Sequence, residues 1–179
     1  MMTNGRSDNV NTRNLVVDIL LAVTRDGAFS HIAIRDVLDK YRYLPKQDRA
    51  FITRLSQGTI ERMIELDAII NQFSKTKVKK MKPVIAAILR SGVYQLKYMD
   101  SVPDSAACNE AVKLTVKRGF GGLKGFVNGV MRTIARNMDQ ICYPDAEKEP
   151  VRYLSVKYSV PEWLVQRFTE QYGAEACER

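Results

Sequence analysis

PVIAAILRSGVYQL, residues 83–96, has the clearest helical pattern in the chain. Its apolar residues recur every three or four positions, which is typical of one face of an α-helix. A proline at the first position suits a helix start, because the first turn does not use that N–H. The segment is apolar on two sides, so we predict that it forms the central helix of a bundle.

The same helical period recurs before and after this segment, and no part of the chain alternates as a β-strand does. Further helices are predicted at residues 12–25, 30–41, 45–73, 103–119, 123–138 and 161–172. Four of the six prolines stand where these helices would begin. The pattern therefore predicts an all-α bundle with short connections.

Composition excludes several classes of protein. The 179 residues are 45% apolar, which suits one folded core and excludes a disordered chain. The chain has no long uncharged apolar run and no apolar segment at its start, so we expect neither a membrane span nor a secretory signal. The three cysteines are far apart in sequence and there is one histidine, so we expect neither a disulfide framework nor a metal site. Unpaired cysteines are typical of proteins in the reducing cytoplasm.

Positive charge is concentrated in the first part of the chain. The net charge is +8, but residues 1–140 hold 23 Lys and Arg against 13 Asp and Glu, whereas residues 141–179 hold 5 against 7. A basic field of this kind attracts phosphate backbones. The charge changes sign near YPDAEKEP, residues 143–150, which has the composition of a linker. We therefore predict a domain over 1–140, and a linker with a helical connector over 141–179 that proteolysis would separate near 143–150.

Two sets of basic residues could contact phosphates, and both could also be ordinary solvated surface. The first is the lysine run between two predicted helices, made of Lys75, Lys77, Lys79, Lys80 and Lys82. The second lies at helical spacing, away from the apolar stripes, and consists of Lys113, Lys117, Lys124, Arg132 and Arg136. Asn109 and Asn128 lie inside helices, where they would either hydrogen-bond between helices or read a nucleotide base.

We find no set of residues arranged for catalysis. No nucleophile stands beside a base, and the glycine-rich loop at 119–125 lacks the spacing of a phosphate loop. No glycine-rich turn between a strand and a helix is present to bind S-adenosylmethionine or a dinucleotide. The sequence therefore predicts no catalytic residue within this chain.

Three segments together resemble the NusB family. They are VPDSAACNEAV at 102–112, FVNGVMR at 126–132 and ILRSGVYQL at 88–96, in the family's order and spacing. The resemblance covers about residues 10–140. It implies a bundle of two packed three-helix halves that binds RNA and docks to a protein partner, such as a ribosomal protein.

The later residues resemble one branch of that family. SVPEWLV at 159–165, followed by Tyr172 and Gly173, is similar to the connector of Sun/RsmB-type 16S rRNA cytosine-5 methyltransferases. In those enzymes a NusB-like domain precedes a catalytic domain that uses S-adenosylmethionine. The resemblance implies an rRNA-binding fragment without that cofactor or activity of its own, whose partners are small-subunit rRNA and its C-terminal methyltransferase domain.

The same resemblance points to three more RNA-binding residues. Arg6 and Arg13 stand where the family has a basic N-terminus and first helix, and Phe126 is the aromatic residue of the FVNG segment. Phe126 could stack on an unpaired base or fill the core. Two other functions stay open at this point: a free-standing transcription antitermination factor, and a helical module that docks only to proteins.

Overall fold

The computed structural model describes residues 10–178, apart from the side chains of residues 174 and 175, and these residues form helices and no strand. The α-helices are α1 (Thr12–Thr24), α2 (Ser30–Lys40), α3 (Lys46–Glu61), α4 (Met63–Phe73), α5 (Pro83–Tyr98), α6 (Asp104–Lys117), α7 (Lys124–Arg136), α8 (Pro150–Tyr158), α9 (Glu162–Tyr172) and α10 (Ala174–Cys177). Short 3₁₀ turns lie at Val78–Lys80, Gly121–Leu123 and Met138–Gln140. The predicted all-α class is confirmed.

Two groups of three helices share one core. Helices α1, α2 and α3 pack together, as do α5, α6 and α7, and α5 also contacts α1 and α3. Ile88 and Leu89 of α5 are fully buried, so residues 83–96 do form the central helix. Gly58 lets α3 approach α5, because a Cβ there would collide with the ring of Tyr94.

The single helix predicted at 45–73 is wrong, since the chain breaks at Arg62 into α3 and α4. Arg62 leaves the helical conformation, with φ −103° and ψ 16°. The N–H of Ile64 then donates to the hydroxyl oxygen of Ser159, 3.1 Å away, instead of to a carbonyl one turn earlier. A side chain that is distant in sequence thus caps the start of α4 and stabilises the break.

Residues 142–159 lie along α4, and they include the helix α8, which periodicity did not predict. The side-chain amide of Gln72 bonds both backbone groups of Cys142, accepting from its N–H at 3.0 Å and donating to its carbonyl at 2.9 Å. Arg62 donates to the carbonyl of Lys157 at 3.2 Å. Residues 142–157, which include the stretch predicted as a linker, are therefore bound to both ends of α4. Within that stretch the exposed part is residues 145–150.

A buried carboxylate at Glu65 joins α4, α5 and the chain after α7. Its two oxygens accept hydrogen bonds from the hydroxyls of Tyr98, at 2.5 Å, and Tyr143, at 2.6 Å. Lys97 Nζ lies 3.6 Å from one oxygen and Arg62 Nη1 lies 3.9 Å from the other. We call these five residues the Glu65 cluster. Burial, and then the bond to Glu65, raises the pKa of both tyrosines well above the usual value.

Candidate nucleic-acid interface

Helices α6 and α7 pack side by side and leave a groove between their solvent-facing sides. Lys124, Asn128 and Arg132 fall on one side of α7 because they are four residues apart, and Asn109 and Lys113 do the same on α6. The α6/α7 groove has a volume of about 560 Å³ and is lined by Asn109, Val112, Lys113, Lys124, Gly125, Asn128 and Arg132. Four of the predicted RNA-binding residues therefore lie together in one concave surface.

Two asparagines hold the guanidinium group of Arg132. Its Nε donates to Oδ1 of Asn128 at 2.9 Å, and its Nη2 donates to Oδ1 of Asn109 at 3.4 Å. The bond to Asn109 crosses from α7 to α6, so Arg132 links the two walls of the groove. Asn109 therefore hydrogen-bonds between helices, one of the two interpretations left open, whereas the bond of Asn128 stays within α7.

The groove is positively charged. Lys124 and Arg132 make no ion pair among the residues that the structure describes, whereas Lys113 donates to Glu110 at 2.8 Å. Lys117 is exposed one turn beyond Lys113 on α6. Arg136 lines an adjoining cleft of about 210 Å³ that also includes Arg132. Basic residues therefore continue past both ends of the groove, and Asp104 also lines the adjoining cleft.

The lysine run and Phe126 meet on the other flank of α7. Phe126 is half-buried and packs against the core, and its exposed part lines a cleft of about 250 Å³ with Lys80, Lys82 and Leu123. Lys75, Lys77 and Lys79 are exposed and close to these residues in sequence, but Lys77 donates to the carbonyl of Asn71 at 3.0 Å and lines a separate cleft with Asp67 and Glu149. The predicted site residues thus form two surfaces, separated by the part of α7 that enters the core.

Phe126→Ala should lower the free energy of unfolding by about 3 kcal/mol, because most of the ring packs against core residues. The slope of RNA affinity against salt should stay unchanged, since the ring carries no charge. Denaturant unfolding and RNA titration of the same variant measure both. Phe29→Ala is the control, as its ring is 71% exposed. Unchanged stability with weaker RNA binding would instead assign the ring to base stacking.

Of the two arginines predicted near the N-terminus, Arg13 joins neither surface. Arg6 lies outside the described residues. Arg13 is half-buried, donates from Nε to Gln95 at 2.7 Å and lies over the ring of Phe51. Burial lowers the pKa of Arg13 from its ordinary value, and the charge of Glu110 opposes that shift. Arg13 therefore connects α1 to α5, a role that spacing alone did not indicate.

Sequence analysis also missed Arg118, which ends α6. Its guanidinium group donates to the side chain and the carbonyl of Asn14, both at 2.8 Å, and to Asp18 at 2.7 Å. These bonds attach the end of α6 to α1 and so help to fix one wall of the α6/α7 groove. The only sequence signal was an arginine next to a helix-ending glycine.

Residues 10–178 contain neither a helix that could span a membrane nor an arrangement of metal ligands. No helix within 10–178 is long and apolar enough to cross a membrane. No cluster of three or more His, Cys, Asp or Glu within the same residues is arranged to hold a metal ion.

Comparison with known proteins identifies the family. The model of the NusB family matches residues 10–136, which include both helix groups and the α6/α7 groove. The chain belongs to the NusB family. This NusB domain therefore accounts for α1 to α7, and α8 to α10 lie beyond the matched region.

Relatives of this NusB-family chain are of two kinds. The probable ribosomal RNA small subunit methyltransferase B of Bacillus subtilis is 36% identical over 167 residues, which are 93% of this chain and 36% of that protein. The transcription antitermination protein NusB of Agathobacter rectalis is 39% identical over 90 residues, which are 50% of this chain and 69% of that protein. The chain thus spans about a third of the methyltransferase relative.

Solved structures confirm the NusB fold. One chain of a crystal structure of antitermination factors NusB and NusE in complex with double-stranded RNA superposes with a TM-score of 0.64. The match is 21% identical in sequence and covers 70% of this chain and 93% of that one. The likeness extends over most of the other chain, which agrees with the family match over 10–136.

Proposed function

We propose that this chain is the RNA-binding domain of a small-subunit rRNA methyltransferase, and that it docks the substrate rRNA for cytosine-5 methylation in the cytoplasm. The observation that carries the proposal is the α6/α7 groove, where Lys113, Lys124 and Arg132 converge without an acidic residue in the lining. Supporting it, the similarity to the B. subtilis methyltransferase relative covers 93% of this chain.

In this proposal residues 1–140 bind RNA, and residues 141–179 connect them to a methyltransferase domain. The described residues do not form a typical binding site for S-adenosylmethionine. Their elements are helices, without the parallel sheet and the glycine-rich turn that usually hold this cofactor. The cofactor and the methyl transfer therefore belong to the catalytic domain. The hydrogen bonds from α4 to residues 142–159 would keep that domain in a fixed orientation to bound RNA.

A free-standing antitermination factor is the second candidate, and the A. rectalis relative favours it. A ribosomal-protein partner would suit either function, since one structural relative was crystallised with NusE. The extent of similarity favours the methyltransferase, because 93% of the chain aligns with that relative and 50% with the antitermination protein.

Titration with small-subunit rRNA at rising salt tests the proposal. We expect a log–log slope of about −2 or steeper, since each phosphate contact on single strands contributes about −0.7 and the groove offers three cations. Cross-linking in cells should recover mature small-subunit rRNA. Recovery of nascent transcripts alone would favour antitermination, and absence of RNA binding would favour a module that docks only to proteins.

A further inference from the structure

The polar side chains of the α6/α7 groove turn their acceptor oxygens toward Arg132. An asparagine side chain has one carbonyl oxygen and one NH₂ group with two donor hydrogens. The oxygens of Asn109 and Asn128 both accept from Arg132, and their NH₂ groups have no hydrogen-bond partner among the described residues. The asparagines therefore present donors to the groove.

The remaining polar side chains that line the groove are also donors. Lysine and arginine have no acceptor, and Lys113, Lys124 and Arg132 are the charged residues of the lining. The nearest carboxylate, Glu110, is outside the lining and pairs with Lys113. Five side chains thus offer N–H groups, three of them charged, to whatever occupies the groove.

We infer that the α6/α7 groove is a phosphate-binding site that contacts the RNA backbone and does not read the bases. The inference rests on the proposed function and specifies its ligand chemistry. A phosphodiester presents only acceptor oxygens and a negative charge, which complements a groove made of donors and cations. Base edges offer donors as well as acceptors, and both amide oxygens of the groove already accept from Arg132.

Asn109 and Asn128 act here as positioning residues as well as donors. They fix Nε and Nη2 of Arg132, which leaves Nη1 without a partner among the described residues. A guanidinium group held in place loses less rotamer freedom when it binds an anion. The site is therefore formed before RNA arrives.

Conversion of both asparagines to aspartate tests the donor assignment. In Asn109→Asp with Asn128→Asp, each donor becomes an acceptor of almost the same shape, and both carboxylates would neutralise Arg132. We expect RNA affinity to fall by about tenfold or more, equally for single-stranded oligomers of uridine, cytidine and adenosine. Gln47→Glu with Gln171→Glu is the control, because these exposed amides make the same change of charge far from the groove.

An uncharged substitution tests whether RNA occupies the groove without changing the charge of the protein. A Cβ at Gly125 or at Gly129 would meet open space, but only Gly125 lines the groove. Gly125→Gln should occupy the groove and weaken binding about tenfold, whereas Gly129→Gln, one turn along the same helix, should bind as the parent does. Both changes replace glycine by a better helix former at an open position, so neither should reduce stability.

Three results would overturn the inference while the proposed function stands. They are undiminished affinity of the double aspartate variant, a loss that differs between the three oligomers, or equal affinity of the two glutamine variants. If the unmodified chain binds neither the oligomers nor small-subunit rRNA, the proposed RNA-binding function is itself wrong. The two failures are thus distinguishable in one set of titrations.

Discussion

Glu65→Ala should lower the free energy of unfolding by about 3–5 kcal/mol, a large effect for a single side chain. The hydroxyls of Tyr98 and Tyr143 would lose their common acceptor, and Lys97 would lose its carboxylate partner. Because Tyr143 belongs to the chain after α7, the attachment of residues 142–159 to α4 should also loosen. Proteolytic cleavage at residues 145–149 should then become faster.

Denaturant unfolding of two variants measures this effect. Glu61→Ala is the matched control, because Glu61 lies one turn away, is exposed and accepts from Gln57 on the surface. This variant should change the free energy of unfolding by no more than about 0.5 kcal/mol. Glu65→Gln keeps one acceptor and should cost less than the alanine variant. A loss for Glu65→Ala no larger than for Glu61→Ala would show that the cluster contributes little.

High pH should weaken the same cluster. The pKa of Tyr98 and of Tyr143 is raised in the folded protein, so both hydroxyls stay protonated there while unfolded tyrosines ionise near pH 10. The folded state then binds more protons than the unfolded state, and stability falls as pH rises above about 10. In Glu65→Ala this fall should be smaller, because the hydrogen bond that helps to raise both pKa values is gone.

Helical periodicity was sufficient to predict most of the bundle. The apolar stripes of α1, α5 and α7 enter the core as their spacing indicates, with Ile19, Ile88 and Met131 fully buried. The break at Arg62 could not be predicted in this way, since the start of α4 is capped at Ile64 by Ser159, which is 95 residues further along the chain. Helix α8 was missed because Leu154, Ser155 and Val156 are consecutive buried residues without a clear period.

The sequence predicted most of the residues that line the α6/α7 groove, but not the contacts between them. Spacing of four residues placed Lys124, Asn128 and Arg132 on one side of a helix, away from the apolar stripe. That Arg132 bonds across to Asn109 depends on how α6 and α7 pack, which one-dimensional spacing does not contain. The same limit explains Arg13, whose hydrogen bond to Gln95 spans 82 residues.

Two cations of the groove, Lys124 and Arg132, differ from other surface cations because they have no acidic partner among the described residues. Arg25, Arg42 and Arg152 each form an ion pair with an adjacent or nearby acid, and such exposed pairs offer little net field. Lys124 and Arg132 have no such partner among residues 10–178. We therefore expect RNA binding to respond to charge changes in the groove and only weakly to equal changes elsewhere.

Charge reversal in the groove should have the largest effect on binding. Lys113→Glu, Lys124→Glu and Arg132→Glu together remove three phosphate contacts and introduce three repulsive charges. At low salt we expect RNA affinity to fall by about 100-fold or more, for all sequences alike. Lys40→Glu, Lys46→Glu and Arg167→Glu form the matched control, since these exposed residues lie outside both basic surfaces and make the same change in net charge.

The most direct measurement is the salt dependence of rRNA affinity for the parent chain, the groove triple variant and the control triple variant. We expect the log–log slope to become shallower by about 2 in the groove variant, equivalent to three phosphates, and to change little in the control. Equal slopes and equal affinities for the two triple variants would contradict the assignment of the RNA site to the α6/α7 groove, because RNA would then bind elsewhere.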